Sequence, residues 1–72
     1  LNMKPTYTGT DTKGRDIVIY AGQTFPGLIG GAYGAMVTVD GKLSSSVSGC
    51  YTMQAAMRHA EEYFTWYFGR TA

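Results

Sequence analysis

The stretch Ala32 to Cys50, AYGAMVTVDGKLSSSVSGC, decides how this chain folds. Asp40-Gly41 in its middle is a hairpin signal, flanked by two β-prone runs. The length of the connecting loop sets which side chains share a face, because a one-residue slip exchanges the two faces of a strand. A two-residue loop would set Val37 and Val39 opposite Ser44 and Lys42. A three-residue loop, Val39-Asp40-Gly41 with Gly41 left-handed, pairs Val37 with Leu43 and Tyr33 with Val47, and so gathers one apolar face. The three-residue loop is the expected register. Thr38, Lys42, Ser44 and Ser46 then make the opposite face, which is polar.

Upstream, Pro5 to Thr10 is β-prone and leads into Asp11-Thr12-Lys13-Gly14, a turn sequence. Arg15 to Ala21 follows, β-branched at three successive positions and apolar on both faces, as suits a central strand. These two segments read as a first hairpin. Gly22 to Gly31, GQTFPGLIGG, reads as a loop in which Phe25, Leu28 and Ile29 are apolar residues with no strand or helix to hold them. Either they fold back on the core or they form a contact patch for a partner.

Downstream, Thr52 is the expected N-cap of a helix and Gly69 its stop. Between them Met53, Ala56, Met57, Ala60, Phe64, Tyr67 and Phe68 fall on one stripe at 3.6-residue spacing. Gln54, Arg58, Glu61 and Thr65 take the opposite side. The fold expected is α+β: an antiparallel β-meander of three to four strands packed against one C-terminal amphipathic helix. Leu1 and Asn2, ahead of Met3, are read as a leftover preceding a native start and set aside, so that residues 3–72 make a single domain.

Seventy-two residues allow only a thin core. Domains of this size usually lean on disulfides, a metal or a partner subunit. One cysteine, Cys50, and one histidine, His59, leave neither an intrachain disulfide nor a Cys/His zinc set. Self-association or an aromatic-rich core remains, and ten Phe, Trp and Tyr residues fit either. Six basic against five acidic residues give no electrostatic reason to expect nucleic acid or an anionic membrane. No apolar run is long enough to span a bilayer. A reduced, cytoplasmic setting is the expectation.

Catalytic chemistry finds little to stand on. The glycine-rich run Gly27 to Gly34 enters a strand, whereas a phosphate-cradling loop opens a helix whose N-terminus binds the anion. Cys50 and His59 lack a third group to orient the base and read as a small buried hydrophobe and a boundary residue. Glu61 and Glu62 point some 100° apart around a helix and are no carboxylate pair. No cofactor and no enzymatic activity are expected. A second helical stripe, His59, Tyr63, Trp66 and Arg70 at i, i+4, i+7 and i+11, flanks the core stripe. Its Trp, Tyr and Arg are the residue types enriched at binding hot spots, which makes it the candidate partner-binding patch.

Val37 to Leu43, then Gly49 to Thr52, Ala55-Ala56, Ala60 and Tyr63 resemble the strand–turn–strand–helix plan of phage integrase arm-binding and plant ethylene-response-type domains. That resemblance implies a sheet that reads DNA. Those sheets carry several Arg and Lys toward DNA, where this one offers Lys42, Thr and Ser, and duplex binding needs several phosphates neutralised. In its short chain, few strands, single helix and lack of a catalytic set, the sequence also resembles small phage or mobile-element accessory proteins, anti-CRISPR proteins among them. That resemblance implies a stoichiometric inhibitor acting on a protein partner. The expected function is a non-enzymatic protein-interaction module, a homodimer among its expected forms, with a small DNA-binding domain as the alternative.

Overall fold

The structure is a computed structural model that describes residues 2–24 and 31–71, with side chains described for 3–24 and 31–63. Four strands and one helix follow one another: β1 (Asn2–Thr10), β2 (Asp16–Gln23), β3 (Tyr33–Val39), β4 (Lys42–Cys50) and α1 (Met53–Thr71). The strands form one antiparallel sheet in the order β1-β2-β3-β4, with α1 packed on one face. The α+β meander with a C-terminal helix is therefore the fold, with four strands, and β2 is a central strand. The second strand runs on through Gly22 and Gln23, and Asn2 pairs with Gln23 at the start of β1.

The β3–β4 register differs from the expected one. Val39 pairs with Lys42 and Thr38 with Leu43, so the loop is the two residues Asp40-Gly41. Both are left-handed, with φ of 51° and 81°, as a hairpin turn needs to follow the right-handed twist of its strands. Asp40 tolerates this conformation and also ties the turn to β2. Its carboxylate accepts from the Asp16 amide at 2.8 Å, while its own amide donates to the Asp16 carbonyl at 2.8 Å. The change of face expected in the loop occurs instead in β4. Val37 pairs with Ser45 and Ala35 with Val47, so a bulge at Ser44 shifts the register by one. Val47 thus reaches the core side by the bulge, and Leu43 is left on the outer side.

The core lies between sheet and helix. Ile17, Ile19, Ala21, Ala35, Val37 and Cys50 from the sheet meet Ala56 and Ala60 from α1. Alanine faces alanine across this layer, so the helix can sit close to the strands. The cost of that closeness is volume: among the described residues, the largest fully buried side chains are Ile17 and Val37. At the start of the helix the Ala55 amide donates to Thr52 Oγ1 at 3.1 Å, which makes Thr52 the N-cap. At the other end the helix runs through Gly69 to Thr71. A helical glycine costs about 1 kcal/mol against alanine, too little on its own to end a helix.

Candidate functional site

The helix covers β2, β3 and β4 and leaves β1 almost wholly to its pairing with β2. The residues expected on the helix flank divide. His59 is exposed, whereas Tyr63 is half-buried against the core cluster, its phenol oxygen 2.8 Å from the Ser44 hydroxyl. The side chains of Trp66 and Arg70 lie outside the described residues, as do Phe25, Leu28 and Ile29. The neck of their loop is described: the Thr24 amide and hydroxyl donate to the Ala32 carbonyl at 2.7 and 3.2 Å, and Thr24 is buried. Cys50 is a buried member of the core. Among the described residues no group of three His, Cys, Asp or Glu could hold a metal ion. No helix among them is long and apolar enough to cross a membrane.

What the structure does bring together is the face of the sheet turned away from α1. Cross-strand partners share a face, so the register assigns it. One row is Thr8, Val18, Thr38 and Leu43; the next is Pro5, Tyr20, Met36 and Ser46; Met3 opens a third beside Gly22 and Gly34. Val18, Tyr20, Met36, Thr38 and Met3 are half-buried by their neighbours alone, and Leu43 is 63% exposed. A depression of about 410 Å³ opens among Met3, Tyr20, Thr24, Met36, Ser46 and Ser48. At Gly34, beside it, a Cβ would come within 2.6 Å of the Val47 carbonyl oxygen and 2.8 Å of Thr24 Cγ2. This corrects the expected polar face. Thr38 and Ser46 are on it, but Lys42 pairs with Val39 on the helix side, and Met36, Tyr20, Val18 and Leu43 supply apolar surface.

The charge on this face is low. By register its strands carry no Lys and no Arg, and the acidic residues at it are Asp16, opposite Thr10, and the turn residue Asp40 bonded to Asp16, both at one end. Lys4 lies on the helix side, where it lines a shallow groove with Ala21, Tyr33 and Met53. Lys13 and Arg15 belong to the β1–β2 turn, which Asp11 organises. The Asp11 carboxylate accepts from the Lys13 and Arg15 amides at 2.9 Å each and from Arg15 Nε at 2.6 Å. Burial would by itself raise the pKa of Asp11. The bonds from the Arg15 amide and guanidinium and from the Lys13 amide outweigh it, and the carboxyl sits below its ordinary value.

The two edges of the sheet are poor templates for a further strand. In β1, Pro5 lacks an amide proton and the register slips between Pro5 and Tyr7. In β4 there are two slips, at Ser44 and again between the pairs Ala35–Val47 and Tyr33–Cys50. Bulges and edge proline are the devices by which sheets avoid edge-to-edge pairing.

The sequence reading missed this face because it weighed the β3–β4 hairpin alone. The signal was in β2, where Val18 and Tyr20 alternate with Ile17 and Ile19, and in arithmetic: one helix covers one face of a sheet. Comparison with protein-family models, curated proteins and solved structures returned no match.

Proposed function

We propose that the chain is a non-enzymatic protein-interaction module, which holds a protein partner through the uncovered face of its sheet in the manner of a phage-type stoichiometric inhibitor. The carrying observation is the composition of that face: Met3, Val18, Tyr20, Met36 and Leu43 with Thr and Ser, and no cationic side chain. Tyr and Met are enriched where proteins meet, and charged residues are depleted there. A sheet that reads duplex DNA needs cations to reach phosphates, and affinity for DNA is dominated by that term. The helix flank bearing His59, Tyr63, Trp66 and Arg70 is secondary in this reading, since Tyr63 is engaged with Ser44 and the core.

The test places a charge in the centre of the face. Tyr20→Lys and Met36→Lys are each expected to abolish cross-linking to the protein that the wild type captures in cells, with circular dichroism unchanged. Arg58→Ala, on the exposed side of the helix, is the control and keeps the partner. If duplex DNA shifts the solution mass of the wild type at low salt and moderate salt reverses it, the sheet reads nucleic acid and this proposal fails.

A further inference from the structure

The uncovered face has the size and layout to receive a second copy of itself. We infer that the free protein forms a two-fold dimer in which the two uncovered sheet faces pack together, helices outward. This rests on the reading of that face as a contact surface.

Three observations carry it. First, the described core is thin: among the described residues the largest fully buried side chains are Ile17 and Val37, and a chain of 72 residues has little surface to bury by itself. Second, the area suffices. Strands of 7 to 9 residues run about 25 Å at ~3.3 Å per residue, and four of them span roughly 17 Å. With the pleat counted, this is on the order of 600 Å² per copy, the low end of what a stable interface needs.

Third, the face is complementary to itself, as a two-fold interface requires. Its protrusion and its depression are displaced from each other along the strands. Leu43 stands on the row of Thr8, Val18 and Thr38, while the depression lies among Met3, Tyr20, Met36 and Ser48. With the bulge at Ser44 counted, Ser46 and Ser48 lie two and about four ladder positions along β4 from Leu43, or about 7 and 13 Å. A two-fold axis between the sheets and at right angles to the strands exchanges the two ends. Each Leu43 then sits over the other copy's depression. The same axis carries the Asp16–Asp40 ends of the two copies to opposite ends of the interface, so the acidic groups of one face stay away from those of the other.

Sedimentation equilibrium across concentration tests this. The wild type is expected to be a dimer at high concentration and insensitive to salt, and Leu43→Lys a folded monomer. A wild type that stays monomeric throughout overturns the dimer. So does a dimer that survives both Leu43→Lys and Met36→Lys, because its contact is elsewhere. If Leu43→Lys fails to fold, Leu43→Cys with Ser48→Cys in a Cys50→Ala background decides: mild oxidation is expected to give a covalent dimer, and monomer alone overturns the arrangement. The two readings separate cleanly. A monomeric wild type whose Tyr20→Lys variant still loses its foreign partner sinks the dimer and leaves the contact face standing. Retention of that partner by Tyr20→Lys sinks the contact face itself.

Discussion

The phenol oxygen of Tyr63, on the third turn of α1, lies 2.8 Å from the hydroxyl of Ser44, the extra residue of the β4 bulge. Tyr63 also packs against the core cluster, so its ring and its hydroxyl do separable things. Tyr63→Phe keeps the ring and loses an exposed hydrogen bond, for an expected loss of about 0.5–1 kcal/mol in urea unfolding. Tyr63→Ala uncovers the cluster and is expected to lose about 2–3 kcal/mol. Equal losses for the two variants would mean that the hydroxyl, not the packing, holds the helix to β4.

The turn at Asp40-Gly41 makes a second forecast. Gly41 at φ 81° suits glycine, and Gly41→Val is expected to destabilise the domain by about 1–2 kcal/mol. Asp40→Asn retains tolerance of the left-handed region and an acceptor for the Asp16 amide, and should be nearly neutral. Asp40→Ala loses both and should cost about 1–2 kcal/mol. Thermal unfolding of the three variants checks the order; a neutral Gly41→Val would show that position 41 does not need the left-handed conformation.

Asp11 links stability to pH. Its pKa is lower in the folded chain than in the unfolded one, so the unfolded state takes up the proton first as pH falls. The contribution of Asp11 is present above the ordinary carboxylate pKa and is lost as pH drops through the lowered one. Asp11→Asn is expected to be less stable than the wild type at neutral pH and to close the gap in acid. A gap in melting temperature that stays constant from neutral to strongly acid pH would refute this.

Two substitutions probe the thin core. Ile17→Ala removes one of the two largest fully buried side chains among the described residues, and a loss of about 2–5 kcal/mol is expected. In so small a domain that is enough to leave much of it unfolded. Gly34→Ala drives a methyl against the Val47 carbonyl oxygen and Thr24, and is expected to destabilise although it adds apolar surface. Chemical denaturation with circular dichroism reads both. A stabilised Gly34→Ala would show that β3 and β4 can move apart at this point.

Much of this was legible in the residues. Helical spacing in Ala56, Met57 and Ala60, a capping threonine at position 52, and apolar residues on both faces of β2 each state a local rule that the tertiary structure keeps, although Met53, at the head of the same stripe, is exposed. What escaped the reading shares one cause. The apolar alternation of β3 and β4 requires one parity change, and hydrophobic pattern alone places it equally well in the turn or in a bulge. The left-handed pair Asp40-Gly41 settles it in favour of the bulge, and Leu43 moves from the core face to the outer one as a result. The uncovered face was obscured for a related reason. It is assembled from single residues on four strands, none of which stands out within its own segment.

The bulge also bears on how much length β4 can spare. Ser44, Ser45 and Ser46 are identical, so removing any one of them yields the same chain. The shortened strand would close on β3 as a plain ladder, with Leu43 still opposite Thr38 and Val47 still opposite Ala35. The serine run thus contains one residue of slack: the hairpin can lose a serine and keep every side chain beyond it on its present face. An added residue finds no such allowance, and would turn Val47 outward or force a further extra residue into a strand that already slips twice.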